Sequence, residues 1–529
     1  MISGSSASTS KIVVYIMIAS VAAKIFGFLR EVIMAGALGT TNIADAYKVV
    51  YSVPDIIFAG IVSSIGTTFI PIYSSILEKD GEQKGNYFTN NILNIVLLLG
   101  LVVSVSSVVF SRQIISIVAP GFFYNEETIF IAIELARVMF FIAIFLGAMS
   151  ILLNFLNANK RFLITSVITI PYSVVVIIAF LLYSRLYIGV LGLAYASLIG
   201  MAASSLMLFI NSLCIGYRYR FKIDFKDRYL RKSLKLALPL LVSTFLIRFN
   251  IIFDRMLASG LGEGSIAALN YAQRMNELVT TTFVGAIIMV MYTMVSKYFV
   301  VGDIVAIKSL INKCINSITI ILVPVTFATV VLNEHIVRLL FERGAFDQTS
   351  TNMTASALMF YSVGLIFIGY RTVVDRAFYA MNDTKTPMIN AILFLIISVV
   401  FKFLLVRIMG HNGLALSTSI AFIVATTPFM YSLRKKLNGI GGKKIIIVLL
   451  KAVTSATVMS VAIWFVNKGL RNMFARQGFV ADAAILIVLM VVGVAIYFIL
   501  MAVMKTEEVF FILSGIKSRL SSINFTKKI

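Results

Sequence analysis

The sequence predicts an all-α polytopic membrane protein with fourteen transmembrane helices, and two observations support this fold class. Of the 529 residues, 60% are hydrophobic and only 13% are charged, whereas a soluble globular protein is about half apolar and about a quarter charged. Apolar stretches of about 20 residues, the length that crosses a bilayer core, follow one another along nearly the whole chain. No polar stretch is long enough to form a separate soluble domain.

The predicted helices are numbered here as spans 1 to 14 in chain order. Spans 1 to 6 cover residues 11–38, 46–76, 91–119, 129–157, 162–183 and 187–214. Spans 7 to 12 cover 232–258, 268–299, 306–331, 354–380, 387–408 and 412–433, and spans 13 and 14 cover 444–467 and 480–504. Span 1 carries charges inside its apolar run, so we expect a retained helix and not a cleaved signal peptide.

The chain contains an internal duplication, visible as three short matches at nearly one offset. They pair Leu38-Gly39 with Leu261-Gly262, Phe155 with Phe378, and Gly192-Leu193-Ala194 with Gly413-Leu414-Ala415. The predicted domains are therefore a six-helix half at 1–217, a second half at 218–436, and spans 13 and 14 with a basic tail at 437–529. Because six crossings return the chain to the same side, the two repeats are parallel, as in many alternating-access transporters with a central cavity.

Basic residues are concentrated in links that fall on one side of this topology. The links after spans 4, 6 and 12 hold Lys160, Arg161, Arg218, Arg220, Lys222, Lys226, Arg228, Arg231, Arg434, Lys435, Lys436, Lys443 and Lys444. The positive-inside rule makes that side cytoplasmic, together with both termini. The formal charge of +23 thus reflects membrane topology, and we expect no nucleic-acid partner.

Several charges lie inside the apolar spans, where a charge is costly and usually marks a transport pathway or a helix pair. Lys24 and Arg30 in span 1, Arg248 in span 7 and Arg274 in span 8 are the candidate lining of a cationic, anion-binding cavity. Candidate gating or helix-pairing residues are Glu31, Asp45, Asp254, Glu277, Arg371 and Asp375. Arg371 and Asp375 are four residues apart and are placed to pair on one helix.

Other chemistries find little support in the sequence. Cys214 and Cys314 lie in or near apolar spans and indicate no disulfide framework, and His335 and His411 are too isolated to act as metal ligands. A glycosyltransferase or phosphatase would need an acid/base constellation at one surface. The loop after span 9 offers Glu342, Arg343 and Asp347, which a capped loop also explains. We therefore predict no catalytic residue, metal or cofactor.

Six motifs in order resemble the MurJ (MviN) family of lipid II flippases, in the multidrug/oligosaccharidyl-lipid/polysaccharide exporter superfamily. The motifs are Gly27-Phe28-Leu29-Arg30-Glu31, Ala44-Asp45-Ala46-Tyr47, Ala119-Pro120-Gly121-Phe122, Gly264 to Arg274, Leu340 to Phe346, and Asn382 to Pro387. The resemblance covers the whole chain. It implies fourteen helices in a six, six and two arrangement, with a lipid-tail groove formed partly by spans 13 and 14.

The resemblance also implies roles for individual residues. The cavity arginines of the family's first helix correspond to Lys24 and Arg30, its acidic residue at the start of helix 2 to Asp45, and its helix 8 arginine to Arg274. Two departures stand out: Lys24 replaces an arginine, and residues 54–71 of span 2 contain no basic residue. Arg248 is our candidate for the missing helix 2 charge.

The function expected from these features is translocation of undecaprenyl-diphosphate-linked peptidoglycan precursor across the bacterial cytoplasmic membrane by alternating access. The membrane potential would supply direction, and coupling to Na⁺ or H⁺ is left open. We expect a functional monomer, with the cell-wall synthesis machinery as a candidate partner. The alternatives are a flippase for another lipid-linked glycan of a capsule, teichoic acid or O-antigen, and a cation-coupled drug exporter, which an excess of cavity cations disfavours.

Overall fold

The computed structural model of the protein describes residues 3–186, 189–473 and 478–506. Within these ranges all regular secondary structure is helical. Among the described residues, nine helices are long and apolar enough to cross a membrane, or up to eleven if two bent helix pairs each count as one span. The chain is thus a multi-pass helical membrane protein, while the count of fourteen spans stays a prediction. The basic tail with Lys517 and Arg519 lies outside the described residues.

The chain packs into two compact units, of which the first contains Met1–Asn270 and Arg343–Ser350. Its helices are Ser3–Leu38, Asn42–Pro54, Asp55–Ala59, Gly60–Val109, Ser111–Val118, Pro120–Tyr124, Glu126–Met139, Ile142–Ala158, Phe162–Ser166, Thr169–Leu186, Val190–Cys214 and Arg228–Ser259. Helix Ser265–Val279 begins in this unit. Span 7 therefore packs with the first unit, although the predicted repeat boundary at residue 217 assigns it to the second half. The repeat boundaries remain a prediction about sequence ancestry.

The second unit contains Tyr271–Glu342 and Thr351–Ile529. Its helices are Thr280–Val284, Gly285–Val301, Ile304–Phe341, Gln348–Val363, Leu365–Ala380, Lys385–Met409, His411–Lys436, Gly442–Met473 and Phe479–Val503. Its core joins spans 9, 10, 13 and 14 through residues such as Ile318, Tyr370 and Tyr497. The two appended spans are therefore an integral part of this unit's packing.

Two short π-helices interrupt the α-helical geometry, at Asp55–Ala59 and Thr280–Val284. The first lies in span 2 and the second in span 8, which is the second span of each predicted repeat. A π-helical turn inserts an extra residue into the helix and often occurs at functional sites. Gly81, with φ of 81° and ψ of 177°, is non-helical and separates spans 2 and 3.

Aromatic side chains form the core of the first unit where spans 2, 3 and 4 meet. Phe69 stacks on Tyr73 and on Phe88 with ring centroids 5.4 Å apart in both cases, and Tyr73 meets Phe155 edge-on at 5.4 Å. Tyr217, from the link after span 6, contacts Phe155 at 5.1 Å. Aromatic pairs at such distances stabilise beyond their buried area, so this cluster holds the link against the helices.

Candidate functional site

The two predicted cations of span 1 have different surroundings. Lys24 is exposed. The Arg30 guanidinium lies 2.8 Å from Glu31 Oε1, and the other oxygen of Glu31 lies 2.5 Å from Lys48 Nζ in span 2. Glu31 and Lys48 are only 5% and 6% exposed. A buried carboxylate requires such partners, so Arg30, Glu31 and Lys48 form one ionic cluster that joins spans 1 and 2.

Aromatic rings orient the guanidinium of this cluster. Arg30 lies over the ring of Tyr172, 4.8 Å from its centroid, and Tyr51 stacks on Tyr172 at 5.9 Å. Tyr47 stacks on Tyr51 in turn and hydrogen bonds to Ser197 at 2.7 Å. Arginine stacks on aromatic faces while its planar edge still donates hydrogen bonds. The Arg30 guanidinium is therefore held on one face by the Tyr172 ring and at its edge by the Glu31 carboxylate.

Arg248 of span 7 forms an ion pair with Asp55 of span 2. Asp55 is the first residue of the π-helix Asp55–Ala59. The pair is partly exposed, with 28% and 44% of the two side chains accessible. The structure therefore places a cation from span 7 against the part of span 2 that lacks one in the sequence, and the role of Arg248 as the substitute charge stays a prediction.

Asp45 connects the turns that begin spans 2 and 8. Its carboxylate accepts hydrogen bonds from the backbone N–H of Gly264 at 2.9 Å and of Ala267 at 2.7 Å, and it is 4% exposed. The backbone N–H of Asn42 donates in return to Glu263 at 2.9 Å. The Asp45 carboxylate thus binds N–H groups at the start of span 8, and the Glu263 carboxylate binds one at the start of the helix Asn42–Pro54. The helix dipole favours a negative charge at both places.

A loop from beyond span 9 completes the first unit beside this turn. The backbone N–H of Ala345 donates to Gly36 O at 2.8 Å, and the hydroxyls of Ser350 and Thr40 lie 2.8 Å apart. Gly39 has φ of +59°, and a Cβ there would overlap the carbonyl of Ala345. The backbone N–H and hydroxyl of Ser350 bind Asp347 and lower the pKa of its carboxyl. The position of the loop therefore depends on the close approach of its backbone to Gly36 and Gly39. It also depends on the hydrogen bonds that the Asp347 carboxylate accepts from Ser350.

In the second unit the predicted residues form two ion pairs along single helices. Arg274 Nη1 lies 2.7 Å from Glu277, and both side chains are more than 40% exposed. Arg371 lies 3.7 Å from Asp375, as the four-residue spacing predicts. Its guanidinium also lies over the ring of Phe394 at 4.6 Å. Arg274 is thus the accessible cation of the two, while Arg371 is packed among aromatic side chains.

A cavity of about 480 Å³ opens beside the second π-helix, within the second unit. Thr280, Thr372, Tyr292 and Arg376 are among its lining residues. The hydroxyls of Thr280 and Thr372 donate to backbone carbonyls one turn earlier in the chain. Arg376 is therefore the charged residue of a lining that is otherwise mostly apolar.

The remaining predicted residues occupy less informative places. Asp254 is half-buried in span 7 of the first unit. Asp375 pairs with Arg371, and the Thr386 hydroxyl in the Asn382 to Pro387 motif donates to Asp383 at 3.0 Å. In the described part of the chain, no group of three His, Cys, Asp or Glu side chains is placed to hold a metal ion.

Three charged residues in the structure were missed by the sequence analysis. Lys48 is the buried partner of Glu31, and Asp55 is the partner of Arg248. Lys402, inside span 11, has 0% exposure. Lys402 was detectable, because a lysine in the middle of an apolar span is unusual. Lys48 and Asp55 were not, because their role depends on which side chains the fold brings near them.

Comparison with known proteins identifies relatives along nearly the whole chain. The family model described as "Lipid II flippase MurJ" matches residues 34–484. The "Probable lipid II flippase MurJ" of Rickettsia prowazekii is 26% identical over 482 residues, covering 90% of this chain and 94% of the relative. That of Borreliella burgdorferi is 25% identical over 466 residues, covering 86% and 89%.

Two solved structures share the fold. "Lipid II flippase MurJ, inward closed conformation" superposes with a TM-score of 0.78 at 24% identity, covering 93% of this chain and 98% of that one. An inward-facing multidrug resistance transporter of the MATE family, in the MOP superfamily, superposes with a TM-score of 0.69 at 15% identity, covering 79% and 94%. The chain therefore has the same fold as these two solved structures.

Proposed function

The chain belongs to the lipid II flippase MurJ family, and we propose that it translocates lipid II from the inner to the outer leaflet of the cytoplasmic membrane. The observation that carries this proposal is the family match over residues 34–484, which includes Asp45, Arg248, Arg274 and both π-helices. The relatives named as lipid II flippases align over most of their own length. The proposed activity is transport, with no chemical change to the substrate.

The head group of lipid II carries a diphosphate, and moving such a charge unaided through hydrocarbon is prohibitive. We assign its binding to Lys24, Arg30, Arg248 and Arg274. Lys24 and Arg274 present exposed cations, while Arg30 is oriented by Tyr172 and Glu31. Arginine binds phosphate through two parallel hydrogen bonds and lysine acts as a point charge, so Arg30 and Arg274 would select the diphosphate and Lys24 would add attraction.

Alternating access requires contacts that open and close, and the Asp45 contact has the required form. It joins spans 2 and 8, one from each repeat, through two hydrogen bonds to a single carboxylate. We propose that it closes one side of the pathway and breaks when the repeats rock. Glu31 would hold spans 1 and 2 together in either state through Arg30 and Lys48. Asp254, Glu277, Arg371 and Asp375 remain candidate gating or helix-pairing residues.

The membrane potential is the proposed source of direction. Each negative charge that moves outward gains about 2.3 kcal/mol per 100 mV, inside negative. A diphosphate therefore moves outward with a favourable field, and a coupled Na⁺ or H⁺ would add to that driving force. We place both termini in the cytoplasm on the basis of the basic links, and the lipid tail beside spans 13 and 14. A monomer acting near the cell-wall synthesis machinery suffices for this mechanism.

The test is depletion of the protein in its host, with measurement of the lipid II that becomes accessible on the outer leaflet. Loss on depletion, restored by the wild type and by Lys443→Ala but not by Arg274→Ala, is the expected result. Lys443 is an exposed lysine of the link before span 13 and serves as the matched control. Normal outer-leaflet lipid II with an intracellular capsule or teichoic-acid intermediate would move the assignment to that other lipid-linked glycan.

A further inference from the structure

The link between spans 6 and 7 is held in a defined conformation by three asparagines of span 3. We call residues 217–227 the strap; it connects helices Val190–Cys214 and Arg228–Ser259 and contains no regular secondary structure. Asn90, Asn91 and Asn94 hydrogen bond its main chain at alternate residues, through Arg218 O, Arg220 N and O, Lys222 O, and Asp224 N and O, at 2.7 to 3.2 Å. The amide side chains thus satisfy backbone groups that a flexible loop would leave to water.

Side chains of the strap add to this anchorage. The hydroxyls of Tyr217 and Tyr219 donate to Asn90 and Asn94 at 2.7 and 2.8 Å. Asp224 accepts from the Tyr87 hydroxyl at 2.9 Å and from the backbone N–H of Lys226 at 2.8 Å. These bonds to the ionised carboxylate, the one from Lys226 foremost, lower the pKa of Asp224. Its charge is therefore engaged inside the strap.

The exposed side chains of the strap are cationic and aromatic. Residues 217–227 contain four Lys and Arg side chains and two carboxylates, and four more cations follow in residues 228–235 at the start of the next helix. The second carboxylate, Asp227, caps that helix through Leu230 N. Arg218, Arg220 and Lys226 are exposed, and so are Phe221 and Phe225, at 76% and 60%. Exposed phenylalanines among cations suit a membrane interface. The rings can insert into the apolar layer, while the cations contact anionic headgroups.

We propose that the strap is a binding surface for anionic phospholipid headgroups of the leaflet that it faces. It joins two membrane helices over a short distance, so it lies beside the bilayer surface whichever way the transporter opens. Its cations are distributed along the segment from Arg218 to Lys226, whereas a single diphosphate presents its charge at one point. The surface is therefore suited to a field of phospholipid headgroups, and it is distinct from the residues assigned to lipid II.

A tryptophan placed on the strap tests this proposal directly. Trp464 is the chain's single tryptophan, so Phe221→Trp in a Trp464→Phe background makes residue 221 the only indole. The full-length protein is reconstituted in nanodiscs of phosphatidylcholine and phosphatidylglycerol without lipid II, with bromine on one lipid or the other. We expect brominated phosphatidylglycerol to quench the indole about twofold more than brominated phosphatidylcholine at equal mole fraction, and high salt to remove the difference.

Charge-neutralising variants identify the source of the preference. Arg218→Gln/Arg220→Gln/Lys226→Gln should abolish it, while Arg434→Gln/Lys435→Gln/Lys443→Gln, which removes three exposed cations from the link after span 12, should leave it intact. Equal quenching by both lipids, or a preference that survives the strap substitutions, would overturn the proposal. Absence of quenching by either lipid would also overturn it, because the strap would then stand away from the bilayer. None of these outcomes bears on lipid II transport.

Discussion

The contact between Asp45 and the start of span 8 makes a quantitative prediction for Asp45→Asn. The carboxylate accepts from both Gly264 and Ala267, whereas the amide has a single acceptor oxygen and turns an NH₂ group toward the second donor. The substitution therefore loses one charge-assisted hydrogen bond and the interaction with the helix dipole, together about 2 kcal/mol. We expect the equilibrium for opening this turn to increase about 30-fold, since about 1.4 kcal/mol corresponds to tenfold.

Hydrogen–deuterium exchange measures this opening at the N–H groups concerned. In Asp45→Asn, the peptide that contains residues 264–267 should exchange up to about 30-fold faster than in the wild type. The control is Asp303→Asn, because Asp303 also caps a helix, through Ala306 N at 2.9 Å. That variant should leave residues 264–267 unchanged. If a well-folded Asp45→Asn protein exchanged these amides at the wild-type rate, the carboxylate would not hold the turn and the proposed gate would be wrong.

Three further predictions concern stability. Gly39→Ala should lower the thermal midpoint, because a left-handed backbone costs a non-glycine residue about 1 kcal/mol or more and the new Cβ meets a carbonyl of the loop after span 9. Lys48→Met should destabilise the protein by about 3 kcal/mol in a denaturant titration, since Glu31 stays buried with Arg30 as its remaining ionic partner, and adding Glu31→Gln should restore part of the loss. The lowered pKa of Asp347 stabilises its loop above the unfolded pKa of 3.8, and this contribution is lost as the pH falls through the folded pKa. Limited proteolysis should show that loop opening in acid, and Asp347→Asn should remove the dependence.

The membrane fold could be predicted from the sequence because a helix that crosses a bilayer must be apolar over about 20 residues, and hydropathy measures that property directly. The described parts of the predicted spans lie almost wholly in helices, with spans 2 and 3 sharing the helix Gly60–Val109, and the number of crossings stays a prediction. The breaks inside spans were not predicted: the π-helices at 55–59 and 280–284, and the bends of 42° and 47° within spans 4 and 10. These features change hydrogen-bond register without changing apolar composition, so a hydropathy pattern contains no signal for them.

The candidate site was predictable in its charges but not in its contacts. Residues such as Arg30 and Arg248 were recognisable because cations inside apolar spans are rare. Their partners were harder to identify, since Asp55 is 193 residues from Arg248 in the chain and Lys48 is near the start of its span. Pairing depends on which helices pack together, and span 7 packs with the first unit, although the sequence analysis assigns it to the predicted second repeat.

In the proposed transport mechanism, the ionic cluster of Arg30, Glu31 and Lys48 would keep a cation ready for an anionic substrate inside a membrane protein. Removing a charge from water inside a membrane protein is costly, and Glu31 offsets that cost for both Arg30 and Lys48. Among these three residues, one carboxylate pairs with two cations. An arriving diphosphate would therefore improve the local charge balance while leaving the Glu31–Lys48 pair in place. In a cluster with equal numbers of cations and carboxylates, each contact with a phosphate would have to break a buried ion pair. The ratio of two cations to one carboxylate would therefore matter to transport as much as the presence of Arg30.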